Sequence, residues 1–371
     1  MSGTWDGVER RRVGRPWADR QRPLRVAVFT TSYPRHERDP SGRFVSDAVA
    51  SLRKSGVHVE VIVPELRGDG GVVAKLRRAP WRAPGFLIRS VRALRRADAD
   101  LVHAHWLLSG VVAALARRPF VLTLHGSGTA GPFSDLELAR NAPWLVGAIV
   151  RRAQIVIAVS TPLADAARAC GARDVRVIPN GISLPAETGA DEEPPEVLYA
   201  GRLSPEKGIE ELVEACDGLN LVVAGDGPLR PLVPHTLGFL APEELADRYR
   251  RAAVVVCPSR SEGFGVVCAE AMAHGKPVVA AAVGGLKELV SHGRTGLLVE
   301  PENAKALRDA IDVLLADRAL RRRLGRAARA DVAERFAWEH VTAATVTVYR
   351  DAVGRTASPT EPLDEPTAAA A

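Results

Sequence analysis

The sequence predicts an α/β protein of two domains, each built around a doubly wound parallel β-sheet. Its length, 371 residues, exceeds what a single hydrophobic core usually serves. Short apolar segments alternate with Ala-rich helical segments through most of the chain, which is typical of parallel sheets with helices on both faces. Residues 184–195, rich in Pro, Gly and acidic side chains, interrupt this alternation and are predicted to be a linker.

The first domain is predicted over residues 24–183. It follows an Arg-rich tail, 1–23, whose polar composition lacks any period and predicts disorder. Six apolar strands are expected in this domain, at residues 24–29, 57–63, 101–106, 120–124, 155–159 and 175–178. The segments between them are long enough to hold the crossover helices that parallel strands require.

The second domain is predicted over residues 196–337, with strands at 197–200, 219–224, 254–258, 278–282 and 296–299. One long helix is expected at 304–335 and a final helix at 338–354, followed by a disordered Pro/Thr/Ala-rich tail at 355–371. Ligands of such sheets bind beyond the carboxyl ends of the strands. We therefore expect the two sheets to face a central cleft.

The composition indicates a cytoplasmic protein. Hydrophobic residues make up 46% and charged residues 25%, as in ordinary globular proteins. No apolar run is long enough to span a membrane, and the N-terminus lacks the apolar core of a secretory signal. The four cysteines are scattered without metal-ligand or disulfide spacing, which favours reduced thiols.

The charge is distributed unevenly. The formal net charge is +6, with +14 over residues 1–180 and −8 over the remainder. This excess indicates either an anionic partner, such as a membrane surface, or simply a solvated Arg-rich face. The cluster Arg77, Arg78, Trp81 and Arg82 pairs cations with an aromatic residue, as membrane-docking segments do. No nucleic-acid recognition motif is present, so no nucleic-acid partner is predicted.

Two glutamates in the second domain are predicted to bind a ligand. Glu262 stands in a Gly-rich turn with Gly263 and Gly265, and Glu270 lies in the helix that follows. Glycines lack a Cβ and let backbone approach a ligand closely, while the helix start offers free N–H groups to a phosphate. A carboxylate such as Glu270 is suited to accepting hydrogen bonds from a vicinal diol such as ribose.

Two cations follow the first strand of this domain. Arg202 and Lys207 are held five positions apart across a turn. Arginine can bind phosphate oxygens in a bidentate manner and lysine supplies a compact point charge. Together they would stabilise the charge that grows on a departing diphosphate. Taken alone, such a pair is more often two exposed loop cations. The nearby pair of carboxylates, Glu262 and Glu270, favours the functional interpretation.

These motifs, in this order, resemble those of retaining glycosyltransferase family 4, whose members have the GT-B fold of two Rossmann-like domains. The glutamates match the family's E-x7-E signature, and the cations match its G-R-x-x-x-x-K-G segment. The resemblance implies that Arg202 and Lys207 contact the donor diphosphate, that Glu262 contacts the sugar and that Glu270 contacts the ribose. It further implies backbone contacts to the donor along the turn and under the nucleobase. These are Gly263, Phe264, Gly265, Val266, Gly238, Phe239 and Leu240.

The resemblance also assigns residues of the first domain. His125 would approach the donor sugar, and Gly42 would bring backbone amides close to the diphosphate, with Asp39 and Arg43 as candidate acceptor contacts. His103 and His105 share a strand face without a third metal ligand, so we expect them to pack or to line the cleft. Asp98-Ala99-Asp100 spells D-x-D, a pattern that can bind a divalent metal, but it precedes a strand and is interpreted as a loop. No metal is predicted, because Arg202, Lys207 and helix N-termini can neutralise the diphosphate. No other cofactor is predicted, since the nucleotide sugar is a substrate.

The predicted function is retaining transfer of a hexosyl group from a UDP- or GDP-sugar to a hydroxyl of a glycan, lipid-linked or small-molecule acceptor. Front-side attack is expected, because no residue is evident as a nucleophile. Two alternatives stay open. A dinucleotide-dependent oxidoreductase could use the same fold, although the G-x-G-x-x-G fingerprint is missing. The other alternative is a nucleotide-binding protein that has lost catalytic activity. Glu288 is expected to serve only helix solubility.

Overall fold

The computed structural model describes residues 23–64, 72–126, 134–189 and 194–357. Both predicted terminal tails lie almost entirely outside these residues, as does part of the predicted linker. The two domains contain one parallel sheet each, of six and five strands. The predicted fold class is confirmed.

The first sheet has the strand order β2-β1-β3-β4-β5-β6. Its strands are β1 (Arg25–Phe29), β2 (His58–Ile62), β3 (Leu101–His105), β4 (Phe120–Leu124), β5 (Ile155–Ala158) and β6 (Val175–Val177). All pairings are parallel, with Val26 beside both Val59 and Leu101. The central strands β3, β4 and β5 are buried throughout, because helices cover both faces of the sheet.

In the part of the first domain that the structure describes, seven α-helices flank this sheet. They are α1 (Arg43–Lys54), α2 (Val72–Arg78), α3 (Ala83–Arg96), α4 (Leu107–Ala116), α5 (Asp135–Asn141), α6 (Pro143–Val150) and α7 (Thr161–Ala169). The apolar stripe of α1, which includes Val45, Val49 and Leu52, is buried, as expected for an amphipathic surface helix.

The second sheet has the order β11-β10-β9-β7-β8. Its strands are β7 (Val197–Ala200), β8 (Leu221–Ala224), β9 (Val254–Cys257), β10 (Val278–Ala281) and β11 (Gly296–Val299). The helices are α8 (Ile209–Ala215), α9 (Pro242–Arg251), α10 (Val266–Ala273), α11 (Leu286–Leu289), α12 (Ala304–Ala316), α13 (Arg318–Arg335) and α14 (Trp338–Ala357). The motif-bearing loops after β7 and β9 are thereby placed side by side.

The prediction of one long helix at 304–335 is wrong, because the structure has two helices there. Asp317 separates α12 from α13, and its side chain accepts a hydrogen bond from the backbone N–H of Leu320 at 2.9 Å. An aspartate at this position satisfies a free N–H of the new helix. The apolar periodicity runs on through the break, which is why the sequence pattern did not reveal it.

The final helix, α14, is longer than the predicted 338–354 and packs on the first domain. Val348 and Tyr349 are buried in a core that they share with strand residues of the first sheet. The Thr342 hydroxyl lies 2.7 Å from that of Ser51 on α1. Just before α14, the backbone N–H of Ile182 donates to Phe336 at 2.7 Å. Within the described residues, no helix is both long and apolar enough to cross a bilayer.

Candidate active site

The carboxyl ends of the two sheets meet through two glycines. Gly126 follows β4 and Gly263 follows β9. A Cβ added to Gly263 would lie 2.1 Å from the carbonyl oxygen of His125, and one added to Gly126 would lie 2.9 Å from the Cα of Gly263. The backbones of the two domains are therefore in direct contact at the predicted cleft, with no room for a side chain between them.

An ion pair joins two of the predicted site residues. The Nζ of Lys207 lies 2.5 Å from Oε2 of Glu262, and their side chains are 23% and 15% exposed. Burial acts to lower the pKa of Lys207, but the carboxylates of Glu262 and Glu206 outweigh it and raise that pKa. Lys207 therefore stays protonated and is paired with the Glu262 carboxylate. Arg202 lies half-buried in the same loop, where its carbonyl accepts from the Tyr199 hydroxyl at 2.9 Å.

Glycines hold the Glu262 turn in place. The N–H of Gly285 donates to the carbonyl of Glu262 at 3.0 Å, and a Cβ on Gly284 would lie 2.0 Å from that same oxygen. Gly265 has a φ of 97° and caps α10, a conformation that favours glycine. The side chain of Phe264 packs against Phe336 and is buried. Only the backbone of Phe264 is therefore available to a donor.

Glu270 is half-buried on α10, and its Oε2 accepts a hydrogen bond from Tyr249 at 3.0 Å. Burial raises the pKa of Glu270 to about 7; the Tyr249 bond opposes this, the charge of Asp47 adds to it and Arg43 opposes it. Asp47 and Arg43 lie on α1 of the first domain. Charged residues of the first domain therefore act on Glu270, which belongs to the second domain.

We expect Glu270→Gln to stabilise the ligand-free protein at pH 8 but not at pH 4.5. Burial raises the pKa of this carboxyl in the folded protein from its ordinary value of 4.5 to about 7. The wild type therefore loses stability as the pH rises from 4.5 to 7, and the loss persists at higher pH. The Tm of Glu270→Gln relative to that of the wild type should rise by about 3 °C between pH 4.5 and pH 8. Thermal unfolding across this pH range measures it, with exposed Glu243→Gln as the matched control. A constant difference at all pH values would contradict the assignment.

His125 belongs to a buried cluster of three histidines. Its Nε2 lies 2.9 Å from Nδ1 of His105, and His103 bonds Thr123 and Tyr349 at 2.6 Å each. Burial lowers the pKa of both His103 and His125 to about 3. His125 is thus a neutral imidazole at physiological pH. Among the described residues, its buried Nδ1 has no hydrogen-bond partner, which leaves that atom for a ligand.

Asp135 orients the His125 loop, and the sequence analysis missed it. Its carboxylate accepts from the backbone N–H of Leu107 at 3.0 Å and of His125 at 2.9 Å. Burial raises its pKa to about 6, against the lowering effect of these bonds. At the start of α5, after the Ser134 cap, an acidic residue looks like an ordinary helix-capping group. Nothing in the neighbouring sequence indicated that its carboxylate would bind the backbone of Leu107 and His125.

The first domain also supplies an aromatic wall beside His125. The ring of Phe44 lies 4.8 Å from the imidazole and the ring of Trp106 lies 4.9 Å from it. Trp106 has a φ of 65°, which is rare for a bulky residue and indicates a constrained position. Gly42, at the start of α1, has a φ of 65°, and a Cβ there would lie 2.1 Å from the Ser32 carbonyl. The loop before α1 is thereby drawn against β1.

Several other predicted residues have definite places. Asp39 binds the backbone N–H groups of Arg35 and Ser41 at 3.1 and 2.9 Å, so its carboxylate shapes its own loop. Asp98 and Asp100 bind Arg25 at the amino edge of the first sheet, away from the cleft. The described residues contain no group of three or more His, Cys, Asp or Glu arranged for a metal.

The loop predicted to lie under the nucleobase is tied to the carboxyl end of β8. The hydroxyl of Thr236 donates to the Gly225 carbonyl at 2.6 Å, and the Leu237 N–H donates to Val223 at 2.9 Å. Residues 238–240 follow directly and are half-buried. Their donor contacts stay a prediction.

The interpretation of Glu288 as a solubilising residue is wrong. Both of its carboxylate oxygens lie 3.1 Å from the backbone N–H of Thr161, at the start of α7 in the first domain. A second contact between domains joins Arg38 to Glu244 at 2.8 Å. The first is a hydrogen bond to a backbone N–H and the second is an ion pair, and both are exposed. An exposed ion pair contributes little energy by itself, but both contacts join the two domains beside the cleft.

Comparison with known proteins identifies the family to which this chain is similar. Residues 41–185 match the family model "Glycosyltransferase Family 4", and residues 194–317 match "Glycosyl transferases group 1". The chain is 34% identical to a D-inositol 3-phosphate glycosyltransferase of Xylanimonas cellulosilytica over 73% of this chain and 78% of that one. It is 31% identical to an alpha-maltose-1-phosphate synthase of Mycolicibacterium smegmatis, over 88% and 99%.

Two solved structures have the same fold as this chain. A sucrose-phosphate synthase from Thermosynechococcus elongatus superposes with a TM-score of 0.73 at 27% identity, covering 90% of this chain and all of that one. Anabaena HepE, solved in complex with UDP and glucose, superposes at 0.66 with 23% identity, covering 88% and 99%. The fold and the family matches identify a glycosyltransferase with the GT-B fold. The chain belongs to glycosyltransferase family 4.

Proposed function

We propose that the protein transfers a hexosyl group, with retention, from a UDP- or GDP-sugar to a hydroxyl of a glycan, lipid-linked or small-molecule acceptor. The observation that carries this proposal is the Lys207–Glu262 pair at 2.5 Å, placed where Gly263 contacts the first domain. A cation for the leaving diphosphate and a carboxylate for the sugar are thus brought to one point. Family membership favours sugar transfer over the oxidoreductase alternative.

Each residue has a role in this proposal. Lys207 and Arg202 would bind the donor diphosphate and stabilise its charge as the glycosidic bond breaks. Glu262 would accept hydrogen bonds from the sugar hydroxyls and balance positive charge on the anomeric carbon. Glu270 would hold the ribose. The neutral His125 would hydrogen-bond the sugar through Nδ1, the atom without a partner among the described residues.

We infer front-side attack, because no described carboxylate is evident as a nucleophile. The acceptor hydroxyl would approach the face that the leaving group vacates, and a diphosphate oxygen would take its proton. A double displacement would need a nucleophile on the opposite face. The buried carboxylate beside His125 is Asp135, whose oxygens are held by the backbone N–H groups of Leu107 and His125. Because it supports the His125 loop, we do not assign it as a nucleophile.

A thermal-shift panel of UDP-, GDP- and ADP-sugars tests the function. A donor present at about 100 times its Kd stabilises the native state by about 2.7 kcal/mol. We expect a UDP- or GDP-sugar to raise the Tm and to be slowly hydrolysed. A donor that binds without hydrolysis or transfer to any acceptor would favour the catalytically silent alternative. A panel in which no nucleotide sugar raises the Tm would reject the proposal.

We further propose that the first domain docks on anionic membrane from the cytoplasmic side. Trp81 is 74% exposed, and the exposed Arg77, Arg78 and Arg82 surround it in sequence. Basic residues near a membrane surface contribute about 1 kcal/mol each and an interfacial aromatic adds anchoring. Co-sedimentation with phosphatidylserine vesicles at low salt is expected, and its absence would refute docking.

A further inference from the structure

The carboxylate of Glu270 has a hydrogen-bond donor on one of its two oxygens. The hydroxyl of Tyr249, in the last turn of α9, lies 3.0 Å from Oε2 of Glu270 on α10. Among the described residues, Oε1 of Glu270 accepts no hydrogen bond from the protein. One oxygen is therefore held by the protein, and the other is left for a ligand or for water.

Tyr249 is itself held firmly by its surroundings. Its side chain is buried, and its ring lies 5.0 Å from the imidazole of His274. The hydroxyl also lies 3.5 Å from the Val267 carbonyl, so the contact to Glu270 is the shorter and stronger one. Burial, together with the adjacent charge of Glu270, raises the pKa of Tyr249 well above its usual range. The hydroxyl therefore keeps its proton and donates to the carboxylate.

A second side chain fixes the backbone of Glu270. Nδ1 of His274 lies 2.8 Å from the carbonyl oxygen of Glu270, which can only accept, so this nitrogen carries the proton. Burial lowers the pKa of His274, and three nearby cations add to this effect, namely Arg250, Arg329 and Lys276. The main chain and one carboxylate oxygen of Glu270 are both held, which leaves its side chain little freedom.

Few groups act on the charge of Glu270. Burial raises its pKa to about 7, the Tyr249 bond lowers it, and Asp47 and Arg43 of α1 act in opposite directions. The strands β9 and β10, which pack on α10, carry no charged side chain. From α13, Arg329 binds a backbone carbonyl at the end of α10. Within the described ranges, Tyr249 is the only side chain that donates a hydrogen bond to this carboxylate.

The ionisation of Glu270 matters for the ligand that it would bind. An ionised carboxylate only accepts hydrogen bonds, whereas protonation turns one of its oxygens into a donor. In the proposed function the ribose hydroxyls donate to Glu270, so the ionised form binds them. Burial brings this carboxyl to the midpoint of its titration near neutral pH. A hydrogen bond that favours the ionised form therefore has its largest effect there.

We propose that Tyr249 is a positioning residue for the donor nucleotide, because its hydroxyl orients the Glu270 carboxylate and keeps it a hydrogen-bond acceptor. Tyr249 acts through Glu270 and not by touching the ligand. This inference rests on the proposed function, since it takes the ribose of a nucleotide as the ligand of Glu270. The effect of Tyr249 on the titration of Glu270 requires no ligand and can be measured by itself.

The first experiment titrates Glu270 in the ligand-free protein. Carbon-13 NMR of the side-chain carboxyl groups follows the titration, and the Glu270→Gln variant identifies the resonance by its loss. Tyr249→Phe removes only the hydroxyl and should raise the midpoint by about one pH unit, as expected for a hydrogen bond to a charged group. Tyr349→Phe is the matched control, because its buried hydroxyl bonds His103 in the first domain. It should leave the midpoint unchanged.

The second experiment measures the Kd of UDP and of GDP by calorimetry at pH 7 and at pH 9. With the midpoint raised by one pH unit, about a tenth of the Glu270 carboxyl in Tyr249→Phe is ionised at pH 7, against about half in wild type. The variant should therefore bind about fivefold more weakly than wild type at pH 7 and nearly as well at pH 9. Titration of the nucleotide itself cancels in this ratio.

Two results would overturn the proposal. One is an unchanged midpoint of Glu270 in Tyr249→Phe. The other is a ratio of Kd values that is the same at pH 7 and at pH 9, which would assign Tyr249 a role in packing alone.

Failure of the proposed function gives a different pattern. A raised midpoint in a protein that binds neither UDP nor GDP would retain the coupling of Tyr249 to Glu270 and reject the nucleotide as the ligand. Nucleotide binding with the same pH dependence in wild type and in Tyr249→Phe would retain the glycosyltransferase function and reject the role of Tyr249.

Discussion

Glu262→Gln is expected to lower kcat for sugar transfer by about 10²–10³-fold, while nucleotide affinity changes by less than about threefold. The amide keeps the shape of the side chain but cannot balance positive charge on the anomeric carbon, and loss of one such electrostatic contact typically has this effect. The change also removes the anion 2.5 Å from Lys207. That lysine stays available to the diphosphate, so donor binding should persist.

Steady-state kinetics and calorimetry with the donor measure this effect. Glu196→Gln is the matched control, because Glu196 is a buried carboxylate paired with Arg248 at the amino edge of β7. It should change stability and leave kcat near the wild-type value. Glu270→Ala should show the opposite pattern to Glu262→Gln, with weaker nucleotide binding as the main effect. Unchanged activity in both the Glu262 and the Glu270 variants would refute the assignment.

Gly263→Ala is expected to lower kcat/KM by about 10²-fold by holding the two domains apart. The added methyl group would lie 2.1 Å from the His125 carbonyl, a distance that only separation of the backbones can relieve. Misplacement of catalytic groups by about 1 Å can cost this much in rate. Nucleotide binding should be largely retained, because Arg202, Lys207 and Glu270 all belong to the second domain.

Kinetics combined with small-angle scattering of the donor complex measure this effect. The variant should show a larger radius of gyration than wild type with the donor bound. Gly354→Ala on α14 is the matched control, since a Cβ there meets nothing within 4 Å and alanine favours helix. A Gly263→Ala enzyme with wild-type kcat/KM would show that the contact between Gly126 and Gly263 is not part of the productive state.

Much of the fold was predictable because its signals are local. The strand β4 occupies the predicted residues 120–124, and β7 the predicted 197–200. Strands buried on both faces of a parallel sheet are nearly continuous apolar runs, so their positions can be read directly. The sequence analysis singled out Gly265 and Gly42 for close approach to a ligand. The structure shows in addition that both adopt left-handed backbone, which disfavours other residues.

The sequence by itself determined the two sheets, the glycines of the turns, and the carboxylates and cations at the ends of the strands. The tertiary structure alone decided which of these groups meet. It placed Lys207 on Glu262, Asp135 under His125 and Glu288 on Thr161 of the other domain. The reason is physical: periodicity and turn chemistry report the backbone within a few residues, whereas these contacts join residues 10 to 127 positions apart, and they exist only once the chain has packed.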